Sequence, residues 1–232
     1  MSRKVLVISP HFDDEVIGCG GAIQRHLAAG QTVGILYITR GDCGDIRQGL
    51  DKEQSAAVRH DEAAQVCSSI GATAFYLNAP NEGFMRPHVD VEQDLVKFLR
   101  QYRPTIVYCP HPEESHRDHQ VVASLTTSAC RNASLGVFPH LGTPKHLIEE
   151  IRYYEVWTPM RHFNLAVDIT AYLDEKSRSI NLYKSQTSSI DYAEAVKGLN
   201  RYRGLMTLGG GYAEVFDAER VRPIRVGSED PI

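Results

Sequence analysis

A chain of 232 residues with 25 Lys plus Arg, 29 Asp plus Glu and a formal charge of −4 lacks the basic footprint that a nucleic-acid binder needs. It is long enough for a single domain, 1–232, with a well-buried core, and no Pro/Gly/Ser-rich linker divides it. Five scattered cysteines without a C-x-x-C pair (Cys19, Cys43, Cys67, Cys109, Cys130) predict reduced thiols in a cytosolic protein, and no apolar run reaches signal-peptide or membrane-spanning length.

The first strand is predicted over 4–9, where Val5-Leu6-Val7-Ile8 runs into the cluster His11-Phe12-Asp13-Asp14-Glu15. A helix follows over 18–29, then a strand over 33–39 and a helix over 54–70 with Ala63, Val66, Cys67 and Ile70 on one face. A weaker strand over 73–77, a helix over 92–102 and a strand over 105–109 come next. Segments 40–53 and 78–90 lack periodicity and are read as rim or lid segments. The second cluster, His116-Arg117-Asp118-His119, follows the strand at 105–109. The C-terminal third offers a strand at 152–157, helices near 170–184 and 191–206, and a break at Gly209-Gly210-Gly211. The strands are continuously apolar rather than alternating, as in parallel strands covered on both faces, so the pattern predicts an α/β sandwich.

In the doubly wound strand order 3-2-1-4-5, strands 1 and 4 are neighbours at the switch point where such sheets bind ligands. The two clusters follow these two strands, which predicts one composite site. Its chemistry is that of a catalytic metal with three protein ligands and an open position. Asp13 and Asp14, adjacent on a chain leaving an extended strand, point in different directions. Asp14 is therefore assigned to the metal with His11 and His119, and Asp13 to the role of general base. This mixed N/O set suits Zn²⁺ and also accommodates Fe²⁺ or Co²⁺. His116, three residues before His119, is expected to face substrate as an imidazolium, with Asp118 behind it fixing its charge or tautomer. Water acidified toward about pH 7 by such a metal can attack an amide carbonyl while Asp13 takes the proton.

Other features read more simply. Gly18-Cys19-Gly20-Gly21 lacks the G-x-G-x-x-G register and is expected to serve close packing. His26 and His60 are expected to be solvated, His88, His140, His146 and His162 have no ligand-like neighbours, and His111 is a reserve candidate. Arg59 has two readings, a surface ion pair with Glu62 or a substrate contact.

At these residues the chain resembles the PIG-L/LmbE family of zinc-dependent N-acetylglucosaminyl deacetylases. The family's P-H-P-D-D-E reads here Pro10-His11-Phe12-Asp13-Asp14-Glu15, and its H-P-D-H reads His116-Arg117-Asp118-His119. The likeness continues through Ile17-Gly18-Cys19-Gly20-Gly21, Arg59, Glu62, Val167-Asp168-Ile169-Thr170, Lys184-Ser185-Gln186 and Tyr212-Ala213-Glu214-Val215-Phe216. The resemblance implies a three-layer, Rossmann-like fold with a mostly parallel sheet, and His11, Asp14 and His119 as zinc ligands. It implies Asp13 as base, His116 as electrostatic or acid group backed by Asp118, Arg59 as a substrate-binding arginine and Tyr192 as an oxyanion-contacting tyrosine. It further implies a small amino-sugar substrate, such as a GlcNAc conjugate like that of the bacillithiol-pathway deacetylases, and a trimeric or hexameric homo-oligomer. Phe12 and Arg117 replace the two motif prolines without removing a ligand or base. The expectation is thus a cytosolic zinc hydrolase that releases acetate and a free amine. Its rivals are a two-metal phosphoester hydrolase and a sugar- or nucleotide-binding protein of the same fold without turnover.

Overall fold

The computed structural model describes residues 3–43, 49–79 and 89–221. Among these residues, seven strands form one sheet in the order β3-β2-β1-β4-β5-β7-β6. The first five are β1 (Lys4–Ser9), β2 (Thr32–Thr39), β3 (Thr73–Ala79), β4 (Ile106–Pro110) and β5 (Glu150–Tyr154), all parallel. This is the expected 3-2-1-4-5 order, with β1 and β4 side by side. Two strands that sequence reasoning did not propose, β6 (Leu165–Asp168) and β7 (Ala213–Arg220), extend the sheet in antiparallel fashion. Both are short or mixed in polarity, so neither shows the continuous apolar run of a central strand.

Both faces of the sheet are covered, because alternate residues of β1 and β4 feed two cores. Val5, Val7, Ile106 and Tyr108 join one, against α1 (Asp14–Ala28), α2 (Lys52–Ile70), α5 (Leu173–Leu182) and the start of α7 (Tyr192–Leu208). Leu6, Ile8, Val107 and Cys109 join the other, against α3 (Val89–Tyr102) and α4 (Arg117–Leu135). The fold is therefore a three-layer α/β sandwich. Four cysteines are buried and Cys43 is exposed, all as free thiols.

Several boundaries moved for visible reasons. The strand predicted at 152–157 ends at Tyr154, because the backbone N–H groups of Val156, Trp157 and Thr158 turn away to the carboxylate of Glu114. The helix predicted over 170–184 breaks at Tyr183, whose buried hydroxyl is drawn to Glu15 and Tyr37, and resumes as the short α6 (Lys184–Thr187). Helix α1 starts at Asp14 rather than 18, so the first cluster opens the helix, and the acidic Asp14 and Glu15 suit its N-terminal dipole. Residues 44–48, inside the expected rim segment 40–53, and 80–88, most of 78–90 and including His88, lie outside the described residues.

The glycine run serves packing, as expected. A Cβ on Gly18 would meet the Tyr154 ring at 2.2 Å, and one on Gly21 would meet Ile169 at 2.5 Å. Helix α1 is also kinked at Cys19 (φ −143°, ψ 25°). The N–H groups of Gly21 and Ala22 just beyond that kink are taken by the two oxygens of Glu214 on β7, at 2.8 and 2.7 Å. Lys176 of α5 closes the arrangement with a 2.6 Å buried ion pair to Glu214.

Candidate active site

Strands β1 and β4 deliver the two clusters to the same end of the sheet, each where a loop turns into a helix. In the first, Asp13 takes φ 128°, a region that side-chain-bearing residues avoid, and so sends its carboxylate away from that of Asp14, the first residue of α1. The divergence of the two carboxylates comes from this turn, not from an extended strand. Glu15 holds the turn: it is fully buried, and its Oε2 accepts from the N–H of Asp13 (3.2 Å) and the hydroxyl of Ser9 (3.2 Å). Its Oε1 accepts from Tyr37 (3.0 Å) and Tyr183 (2.5 Å). In the second cluster His116 is the N-cap of α4, its Nδ1 accepting from the N–H of Asp118 at 3.2 Å, and Asp118 and His119 fall in the first turn.

Three donor atoms converge between the clusters. His11 Nδ1 lies 3.2 Å from Asp14 Oδ2, His119 Nε2 lies 3.1 Å from the same oxygen, and the two ring nitrogens are 3.3 Å apart. A tetrahedral ion with bonds of about 2.0–2.1 Å spaces its ligand atoms by about 3.3 Å, so these residues fit a zinc-sized cation. His11, His116 and His119 make a looser group, with ligand atoms within 4.8 Å of one another. The tighter triangle is the better metal seat, because the Nδ1 of His116 is already committed to its cap. Asp14 Oδ1 and His119 Nδ1, the other polar atoms of two of these residues, are buried without a hydrogen-bond partner among the described residues.

Electrostatics separate the two aspartates. Burial pushes Asp14 up, but His119 and His11 outweigh it and leave the carboxylate below its usual range. Burial also raises Asp13, the adjacent Asp14 charge adds to it, and Arg59 only partly opposes them, so Asp13 titrates well above an ordinary carboxylate. Burial lowers His11, yet hydrogen bonds to Asp118 and Asp14 carry it up to about 9. His116 is lowered by desolvation and by the charges of His11 and His119. Both act against a positive charge on this ring, opposite in direction to the imidazolium expected there.

The remaining residues fall into place or out of it. Asp118 does not back His116 with its side chain; its Oδ2 lies 3.0 Å from Nε2 of His11, because the first helical turn aims it across the cleft. Arg59 is 3% exposed, donates to the carbonyl of Phe12 at 2.7 Å and stands 3.8 Å from Asp13. Its Nε has no hydrogen-bond partner among the described residues. The surface pair with Glu62 does not form, since Glu62 accepts from the N–H and hydroxyl of Ser185. Tyr192 starts α7 and packs its ring against Trp157, centroids 5.4 Å apart. His26 is not solvated: its nitrogens meet Gln31 (2.7 Å) and the hydroxyl of Tyr108 (2.8 Å). His60 is exposed, its ring against Tyr76.

Glu114 was missed. It is buried, with Oε2 3.9 Å from His119 Nδ1, and it also takes the N–H groups of residues 156–158. His111, the reserve candidate, supports it at 3.5 Å and meets the carbonyl of Thr158 at 2.7 Å. The acidic pair Glu113-Glu114 just before the second cluster was the available signal.

A family model described as PIG-L, GlcNAc-PI de-N-acetylase, matches residues 6–130, which hold both clusters. The chain belongs to this family. A diacetylchitobiose deacetylase of Thermococcus kodakarensis is 28% identical over 191 residues, 79% of this chain and 70% of that protein. A 1D-myo-inositol 2-acetamido-2-deoxy-alpha-D-glucopyranoside deacetylase of Rhodococcus erythropolis is 27% identical over 62% of this chain, a match spanning 58% of its own length. The solved N,N'-diacetylchitobiose deacetylase of Pyrococcus horikoshii, complexed with an inhibitor, superposes with a TM-score of 0.86 at 27% identity, covering 95% of this chain and 85% of that one. No helix among the described residues of this PIG-L member is long and apolar enough to cross a membrane.

Proposed function

We propose that this chain, acting as one 1–232 domain in the cytosol, is a zinc-dependent hydrolase that removes the acetyl group from an N-acetylated amino sugar. The observation that carries the proposal is the triangle of His11, Asp14 and His119 with Asp13 beside it. The names of the relatives, deacetylases of acetamido sugars, supply the substrate class. In this reading His11, Asp14 and His119 hold the ion, with Fe²⁺ or Co²⁺ as substitutes. A divalent cation there supplies Lewis acidity, acidifying water and polarising an amide carbonyl.

The chain's own residues do the rest. Asp13, raised by burial and by Asp14, takes the proton of the attacking water as oxygen bonds to the carbonyl carbon. It then stands ready to return that proton to the departing nitrogen as the C–N bond breaks, so that acetate and a free amine result. His116 accepts a backbone N–H at Nδ1, which puts its own proton on Nε2 and makes it a donor toward the oxyanion. Asp118 orients His11, and Glu114 stands behind His119, as carboxylates do for metal-bound imidazoles. Arg59 holds the Phe12-Asp13 turn in place and, in this reading, also contacts the substrate. Tyr192 is a more remote candidate for contact with the carbonyl oxygen.

The test is release of acetate and free amine from N-acetylglucosamine conjugates, before and after chelation and after zinc is restored. Loss with chelator and recovery with about one zinc per chain is the expected result. Activity on phosphoesters at about two metals per chain, or binding without release, would favour the rival readings.

A further inference from the structure

Between the C-terminal half of α1 and strands β4, β5 and β6 lies a cavity of about 200 Å³ that contains no residue of the candidate active site. Its polar lining comes from Arg25, His26, Gln31, Tyr108 and Arg152, and no carboxylate lines it. Most of these groups are already committed to one another. Arg152 can only donate, so the hydroxyl of Tyr108 accepts from it at 2.7 Å and turns its own proton to Nε2 of His26, 2.8 Å away. Nδ1 of His26 then donates to the amide oxygen of Gln31 at 2.7 Å. The ring is held neutral: burial and the charges of Arg152, Arg3 and Arg25 push it below its ordinary value, against the bond to Gln31.

The acceptors at the end of α1 are taken too, since the carbonyls of Arg25, His26 and Leu27 receive the N–H groups of Ala29, Gln31 and Gly30. What the lining has left is donors. They are the amide nitrogen of Gln31, the N–H groups of Arg152 not given to Glu150 or Tyr108, and those of Arg25 not given to the carbonyl of Asp168. A cation would find no spare acceptor among these side chains. An oxyanion accepts at every oxygen and carries the charge opposite to the two arginines. The cavity has the volume of roughly six water molecules, and its guanidinium groups come from different elements, α1 and β5. That spread suits the several oxygens of a tetrahedral anion better than a carboxylate, which a single guanidinium fork satisfies. We propose that this cavity binds an oxyanion of the phosphate class, as inorganic phosphate or as the phosphate of a small monoester, with Arg25 and Arg152 as charged contacts and Gln31 as a neutral one. The site is independent of the deacetylase reading.

The test is calorimetric titration of inorganic phosphate into the zinc-loaded protein and, because phosphate also ligates zinc, into the same protein stripped by chelator. One phosphate per chain is expected to bind in both, with sulfate competing and acetate not. Arg25→Gln and Arg152→Gln are each expected to weaken it about tenfold. Arg25 is exposed on α1, so its variant keeps the test decisive should Arg152→Gln not fold. The ring C–H resonances of His26 are expected to move as phosphate is added. Glycerol 3-phosphate, run beside inorganic phosphate, separates the two sources: the tighter binder of the pair names the ligand. Binding that vanishes on chelation would overturn the proposal by placing the anion on the metal. Affinity unchanged in Arg25→Gln, or equal displacement by chloride at the same ionic strength, would overturn it as well.

Discussion

Asp13 and Asp14 show how far one peptide bond can separate two identical side chains. Asp14, below its usual range, stays an anion for a cation to bind, while Asp13, raised by burial and by its neighbour, is suited to carry a proton. The φ of 128° that sets Asp13 apart costs about 1–3 kcal/mol in a residue with a side chain. Asp13→Gly is therefore expected to raise the unfolding midpoint in denaturant while abolishing most turnover; a lower midpoint would mean that the turn is not strained. Asp13→Asn should keep its zinc and lose about 10²–10⁴-fold in kcat, read by metal analysis and initial rates on one preparation. His119→Ala should behave oppositely and lose zinc itself. Because Asp118 meets His11 across the cleft, Asp118→Asn is expected to weaken zinc affinity about 10–100-fold, in a competition with a chelating dye. Unchanged affinity would return Asp118 to the role behind His116 that its sequence position had suggested.

At the scale of elements, α1 is the most constrained part of the molecule. It opens at the active-site turn, kinks at Cys19, and past the kink receives a second cap from Glu214, itself neutralised by Lys176. Glu214→Gln would leave a buried lysine without its counter-charge, a loss of about 3–5 kcal/mol. The expected sign is a large fall in Tm, and a drop of only a degree or two would show that the pair is not structural. The existence of α1 was legible from its helical pattern. Its start was not, because a helix beginning inside His11-Phe12-Asp13-Asp14-Glu15 follows from the strained Asp13 turn, and a backbone angle leaves no trace in composition. The shortening of β5 has a similar origin: Val156 and Trp157 read as strand residues until Glu114, more than forty positions earlier, withdraws their N–H groups.

For the whole molecule, an ion held by His11, Asp14 and His119 would join the loops that follow β1 and β4, and so should stabilise the native state by mass action. The midpoint of thermal unfolding is expected to rise with zinc in the wild-type protein and to stay flat in His119→Ala; parallel shifts in both would place the effective zinc elsewhere. What the sequence by itself determined was the parallel α/β sheet with β1 beside β4, and the two polar clusters at the ends of those strands. Continuous apolar runs and helical spacing are local signals, and the chemistry of histidine and aspartate is written in the residue type. The tertiary structure alone decided the partnership of Asp118 with His11, the turn of Arg59 toward Phe12, the place of Glu114 behind His119 and the pairing of β6 with β7. The partners are tens to more than a hundred positions apart, except Glu114 and His119, five apart, where the N–H groups of residues 156–158 fix the carboxylate; such meetings depend on which groups come together after the chain has closed, and no pattern confined to neighbours encodes them.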